Sequence, residues 1–485
     1  MTATDTCDTD SLGLGLSRND ASSTARVPID RIPEDVMHVI FESWRNDAPH
    51  EQFYTALCVA SVSRSWRHVA LNTSSLWTSL VLVLDGLHSP NPLPLFLERS
   101  CNRQLTLVVR RKEEVDRTIT LTDMHALTTL ACDVMKLLVE HLEAWWSITI
   151  SADIVDLARK CLPSLQWQGC ARSLRHLVIV DPISSLDISP YPLLPLIGSN
   201  FRAPQLCTLE LRSTLEFMAD LDLGTFPALE KVLATDDSLP FGREASDFMK
   251  RFHSLRLLTC IHLIGSQFEL MTLQTHVEKV ELQSLKEFTF EDMPLEEVVT
   301  LLAIIHAPVL SAIRCINLDV HQSYPLIDQD DLAYFPSSPS LTLSKLSSGV
   351  KIEVFGEIAY PFEVVHFVGC GGRLDELIRV TSRGSPGTYG NFPRMVRLDI
   401  QSEAGVSPRW LRHVVEVRQR ASKVSPIHTS FESPSVIEEI RVQTLREIPQ
   451  EDRDWFERNL QLFEWVTDDV VDVRLDGSVT IFCRF

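Results

Sequence analysis

APQLCTLEL, residues 203–211, sets three leucines in a fixed rhythm: Leu206 at the head, then Leu209 and Leu211 alternating with Thr208 and Glu210. A period of two is the pattern of a short strand that buries one face. Related cores recur along the chain, as SLRHLVIV from 173, FPALEKVLA from 226, FHSLRLLTC from 252, LQSLKEFTF from 282, APVLSAIRC from 307, FPRMVRLDI from 392 and SVIEEIRV from 435. With Leu174, Leu206, Leu229, Leu255, Leu285 and Leu310 as anchors, the steps are 32, 23, 26, 30 and 25 residues. Between two cores, PLEEVVTLLAIIHAP (294–308) predicts an amphipathic helix with Glu296 and Glu297 near its start and a stop before Pro308. Strand, turn and helix in a loose repeat imply units that cover one another's apolar edges.

Around this array the composition sets limits. At 485 residues the chain is long enough for two or three domains. Lys and Arg total 45 against 65 Asp and Glu, a formal net charge of −20, and the densest basic run, Arg110 to Lys112, is followed at once by two glutamates. Such a balance repels phosphate backbones and anionic lipid, so neither nucleic acid nor membrane is an expected partner. Eleven cysteines without a C-x-x-C pair read as buried thiols of a reducing compartment, which predicts an intracellular protein, cytoplasmic or nuclear. Residues 1–26 read as a disordered tail with no secretory or transit pattern. The longest apolar run, VVTLLAII at 298–305, is much shorter than a membrane span.

Residues 31–44, RIPEDVMHVIFESW, open a different module. Pro33 suits a first helical position, and Glu34 with Asp35 complements the positive end of the helix dipole. On a helical wheel Val36, Met37, Val39, Ile40, Phe41 and Trp44 spread over an arc of roughly 200°, about twice what one core needs. A second amphipathic stretch, FYTALCVASVSRSWRHVAL (53–71), comes after a polar loop, so two or three short helices are expected. About 45 residues is close to the size at which a chain needs outside help to stay folded.

These residues resemble an F-box. Ile32-Pro33, Glu34, Ile40-Phe41, Val62-Ser63 and Trp66-Arg67 stand where that family has its Leu-Pro pair, acid, Ile-Phe pair and Val-Cys-x-x-Trp segment. Ile32 replaces leucine, Ser63 replaces cysteine, and the loop holding Ala48 to Gln52 is longer. The sequel, NTSSLWTSLVL, PLPLFLERSCNRQLTLVV and HLEAWWSITIS, is similar to the segment C-terminal to the motif in fungal F-box-like proteins. The later array is similar to leucine-rich repeats of about 20 to 29 residues, although the asparagine of that pattern is absent from these cores. The resemblance implies an α/β chain: an F-box-like module at 27–85, then an irregular leucine-rich-repeat-like array at 86–485. At its end the residues themselves predict a helix (EDRDWFERNLQLFEWV) and, at Asp476-Gly477 between alternating apolar positions, a hairpin that caps the array. The resemblance further implies a substrate receptor of a ubiquitin ligase, binding a Skp-family adaptor, and through it a cullin, with an unknown protein substrate on the repeats. Ile32, Pro33, Val36, Ile40, Phe41, Leu57, Val62 and Trp66 are then the candidates for adaptor contact and for the module's own core, undivided between the two. The alternative is an interaction scaffold without a ligase role.

No catalytic group, cofactor or metal is expected. The best nucleotide-site pattern, FEVVHFVGCGGRLDELIRV from 362, has Leu374 where the third glycine belongs. His366 and Cys370 lie on a strand-like run with no second ligand pair. Trp145-Trp146 reads as an anchor between helix and strand. Asp328 to Gly349, rich in Ser, Pro and Asp, reads as a surface loop.

Overall fold

In the computed structural model the described residues are 32–47, 52–84, 92–112, 121–161, 166–180, 197–211, 222–235, 245–265, 279–318, 340–346, 362–370, 392, 394–401, 406–423 and 435–467. The N-terminal tail, the hairpin at Asp476-Gly477, Gly371, Gly372 and Leu374 lie outside them. The chain divides into two compact units, Met1–Trp77 and Thr78–Phe485. The strand just after Trp77, which the sequence groups with the N-terminal module, is the first of the second unit.

In chain order the helices are α1 (Glu34–Asp47), α2 (Gln52–Val62), α3 (Arg64–Asn72), α4 (Leu93–Arg99), α5 (Leu121–Glu140), α6 (Ala152–Cys161), α7 (Ala245–Lys250), α8 (Leu295–Ile304), α9 (Pro408–Lys423) and α10 (Gln450–Asn459). The strands are β1 (Ser79–Leu84), β2 (Leu105–Arg111), β3 (Trp145–Ser151), β4 (Trp167–Cys170), β5 (His176–Val180), β6 (Ile197–Arg202), β7 (Thr208–Leu211), β8 (Lys231–Thr235) and β9 (Cys260–Ile264). They continue as β10 (Val280–Glu281), β11 (Glu287–Glu291), β12 (Ile305–His306), β13 (Ala312–Ile316), β14 (Ser340–Ser344), β15 (Val364–Val368), β16 (Arg397–Gln401), β17 (Glu439–Thr444) and β18 (Leu462–Thr467). Among the described residues no helix is long and apolar enough to cross a membrane.

The second unit is mixed α/β, built on one fourteen-stranded sheet in the order β1-β2-β3-β5-β7-β8-β9-β11-β13-β14-β15-β16-β17-β18. Every pairing in it is parallel, and no strand is placed out of chain order. Two short pairs, β4 with β6 and β10 with β12, are also parallel. Alternation puts the same two positions of each strand inward. Leu209, Val232, Ile261, Phe288 and Ile313 are register partners in one row, Leu211, Ala234, Leu263, Phe290 and Cys315 in the next, and all are buried. Full burial of one such aliphatic side chain is worth about 1.5 to 3 kcal/mol, so these rows are the continuous core.

Each repeat is also written in the backbone. The amides of Leu206, Leu229, Leu285 and Leu310 donate to the carbonyls of Ala203, Phe226, Leu282 and Ala307, at 3.0, 3.0, 3.3 and 3.2 Å. Two residues after each leucine a strand begins. By this geometry the head of β9 is Leu258, 2% exposed, and Leu255 holds the place of Phe226. Choosing Leu255 as the anchor is therefore out of phase. With Leu258 in its place, the two steps flanking it become 29 and 27 residues, more even than the 26 and 30 of the sequence reading.

At the exits of β9, β11, β13, β14 and β15 one residue turns left-handed: Gly265, Asp292, Asn317, Lys345 and Gly369, with φ of 62, 53, 50, 49 and 63°. Their amides donate to the last carbonyl of the next strand, Gly265 to Glu291 and Asn317 to Ser344 at 2.8 Å, and Gly369 to Gln401 at 3.0 Å. Glycine, Asn and Asp tolerate this conformation best. At these five strands the ladder thus runs one residue past the strand and then stops.

Two sequence expectations are corrected here. Residues 340–344, placed in a surface loop, form β14, with Leu341 and Leu343 buried between β13 and β15. Ser and Thr occupy its outward positions, which disguised an alternating strand as polar punctuation. The single helix expected over 451–466 stops at Asn459, and Phe463 and Trp465 alternate inward along β18. Trp145 does anchor a helix to a strand, its indole donating to the Leu138 carbonyl of α5 at 3.0 Å.

Candidate docking surface

The three helices of the first unit share one small core. Met37 and Phe41 lie one turn apart on α1 and are buried, and the Phe41 ring meets Trp66 of α3 edge on, centroids 5.4 Å apart. Ala56 and Val59 of α2 and Val69 and Ala70 of α3 complete it. Ser63 caps α3: its hydroxyl accepts the Trp66 amide at 3.2 Å. A cap of this kind stabilises a helix by about 1 kcal/mol, so the serine supports the break between α2 and α3.

The polar side of α1 is also held within the unit. His38 Nδ1 lies 2.8 Å from the Thr73 hydroxyl, which itself donates to the Val69 carbonyl at 2.8 Å, so the ring is the donor to Thr73. Ser75 donates to the Glu42 carboxylate, and the Trp77 indole donates to the Ala70 carbonyl at 2.8 Å. Met37, His38, Phe41 and Glu42 thus form the covered side of α1.

On the opposite side, Val36 is 44% and Val39 69% exposed. Leu57 and Val62 of α2 are likewise exposed, at 42% and 49%. The sequence-derived set divides accordingly: Phe41 and Trp66 are core, Ile32 and Ile40 are half-buried, and Pro33, Val36, Leu57 and Val62 face solvent. Val39, the most exposed large apolar residue among the described ones of the unit, lies on the apolar arc of the wheel but outside the candidate set. Its signal was position, on the same side of the wheel as Val36 and away from Phe41.

The second unit presents a different surface. The outward positions of β9 to β18 carry charges paired across neighbouring strands. His262 meets Glu291 at 2.9 Å, Arg314 meets Glu287 at 3.7 Å, and Arg441 meets Glu464 at 3.2 Å. Asp399 receives the Arg397 guanidinium at 2.7 Å and His366 Nδ1 at 2.9 Å. Burial alone would raise the Asp399 carboxyl; these hydrogen bonds outweigh it and hold the carboxyl below its usual range. On the same face burial and the neighbouring Arg175 lower His176.

The sequence patterns that suggested chemistry have structural occupations. His366 serves the Asp399 pair, Cys370 is buried with its thiol against the Leu343 carbonyl at 3.2 Å, and Gly369 is the left-handed exit of β15. Asp, Asn and Lys take that exit position in other repeats, so the glycine answers a backbone need that the array has elsewhere too. Among the described residues no group of three or more His, Cys, Asp or Glu side chains could hold a metal ion.

Compared with known protein families the sequence matches no family model, and no curated protein matches it.

Proposed function

We propose that the chain is a non-catalytic substrate receptor, whose three-helix unit docks as an F-box on a Skp-family adaptor of a cullin ubiquitin ligase. The parallel array, which we read as an irregular leucine-rich-repeat solenoid, presents a protein target. Catalysis then belongs to partner subunits.

One observation carries this reading. A unit whose core is already closed by Phe41, Trp66 and Val69 still shows water, among its described residues, four large aliphatic side chains on two helices. Single exposed aliphatics are ordinary, but several on one small unit mark an interaction surface. The residue order that resembles an F-box gives the partner its class. Sequential parallel strands, with a leucine head before β5, β7, β8, β9, β11 and β13 and a left-handed exit after β9, β11, β13, β14 and β15, support the repeat reading of the array.

Co-expression with a Skp-family adaptor tests it. The full-length chain should co-purify with adaptor at near-equal stoichiometry. The double variant Val39→Asp with Val62→Asp should weaken binding at least a hundredfold, about 2.7 kcal/mol, with an unchanged melting temperature, because both side chains face solvent. A wild-type chain that captures no adaptor, or a double variant that binds it undiminished, would overturn the assignment and leave an interaction scaffold.

A further inference from the structure

The inward stripe of α9 holds Leu411, Val414 and Val415, all buried, and the next position along it is Arg418, 4% exposed. Among the described residues it is the one buried lysine or arginine. Burial pulls its guanidinium down to about 10, so it stays charged at neutral pH. The forked donors end on backbone: Nη2 donates to the Phe392 carbonyl at 2.7 Å, and Nη1 reaches the carbonyls of Met395 and Ser435 at 3.4 and 3.5 Å. Met395 and Ile437, both buried, stand two residues before β16 and β17, so the fork touches the lead of two successive strands.

Phe392 is the corner of its repeat. Its carbonyl accepts the Met395 amide at 3.1 Å, as those of Ala203, Phe226, Leu282 and Ala307 accept the amides of their head leucines. Of these five corners it alone is left-handed, with φ of 60°. A bulky side chain holds that conformation only where its surroundings enforce it, and a following proline pushes a residue toward extended backbone instead. Spelling does not set it: FPALEKVLA and FPRMVRLDI open alike, yet Phe226 has φ of −119°. The Phe392 corner differs in carrying the Arg418 fork on its carbonyl.

We infer that Arg418 is a latch inside the array: by holding the Phe392 corner left-handed and reaching the lead of the next strand, it sets how β16 and β17 join the sheet. β16 is entered directly from this corner, and there the Val396 and Arg397 amides donate to the Glu363 carbonyl at 2.8 and 2.9 Å. The Val396 carbonyl in turn accepts the Glu438 amide at 2.8 Å. A shift of the corner therefore reaches two ladders at once, β16 on β15 and β17 on β16. The latch is independent of what the array or the first unit binds.

Hydrogen exchange read by mass spectrometry on the full-length chain tests it, comparing wild type with Arg418→Met, which keeps bulk without donors, and with Arg418→Lys. Arg418→Met leaves buried carbonyls without their donor, which is costly. Its backbone should exchange about tenfold faster or more over 395–401 and 437–444, and within about twofold of wild type in β2, β3 and β5. Arg418→Lys puts a point charge in place of the fork; it should lie between the two, and it carries the test if the methionine variant does not fold. In a Phe392→Gly background, where left-handed backbone has no steric cost, Arg418→Met should accelerate exchange about a third as much or less. A buried cation that positions nothing is often replaced by an apolar residue without loss, so unchanged or greater protection in Arg418→Met overturns the inference. So does an equal loss beside Gly at 392, or a loss spread evenly over the sheet.

Discussion

Two residues apart on α1, Val39 is 69% exposed and Phe41 has no exposed surface, because the helix carries them to opposite sides of its axis. The consequence is a clean separation between the side of α1 that folds the unit and the side that faces solvent. Removing the Phe41 ring leaves a hole beside Trp66, and such truncations typically cost about 3 to 5 kcal/mol; a unit this small has little stability in reserve. Phe41→Ala in the full-length chain should therefore open residues 32–77 to limited proteolysis while the array stays resistant. Val39→Ala should leave the digestion pattern as in wild type, since solvent-facing changes generally fall within about 0.5 kcal/mol. If Phe41→Ala leaves the segment protected, the ring does not hold the core together. Helical periodicity in the sequence located this apolar arc, but a wheel holds no information about which side the neighbouring helices cover. That division is decided by His38 on Thr73 and Glu42 on Ser75, contacts across more than thirty residues that no local pattern announces.

For the strands, a head leucine is defined by its turn and not by its spelling. FHSLRLLTC offers three leucines in four positions, Leu255, Leu257 and Leu258; Leu255 and Leu258 both bond back to an apolar residue three places earlier, and the start of β9 at Cys260, two residues past Leu258, tells them apart. Leu258 is 2% exposed, whereas Leu257 is 51% exposed. Leu258→Ala should cost about 2 to 5 kcal/mol, as deletion of a buried leucine does, and Leu257→Ala almost nothing; urea denaturation monitored by tryptophan fluorescence compares them directly. Equal costs would mean that the repeat phase is wrong. The same ambiguity hid two strands. β14 alternates leucine with serine and threonine, residues that also punctuate loops, and β18 begins only two residues after α10, past Leu460 and Gln461, so the helical pattern was extended through it. Conversely, cores such as APQLCTLEL were legible because leucine alternates there with Thr208 and Glu210, which suit solvent and nothing else.

At the scale of the whole chain, sequential parallel order means that each strand of the sheet is paired only with its immediate predecessor and successor in that sheet. Contacts of this kind make stability a sum over neighbours, so damage is felt locally and fades along the array. β14 is the place to test it, because Leu343 is fully buried and its register partners, Cys315 of β13 and Phe367 of β15, are also buried. Leu343→Ala should lower hydrogen-exchange protection most in β13, β14 and β15, less in β11 and β16, and leave β2, β3 and β5 as protected as in wild type. If the first unit docks as proposed, capture of a Skp-family adaptor by this variant should equal that of wild type, since Phe41 and Trp66 belong to the first unit. Protection lost evenly from β1 to β18 would show instead that the sheet unfolds as one cooperative block, in which no strand could loosen without loosening the rest.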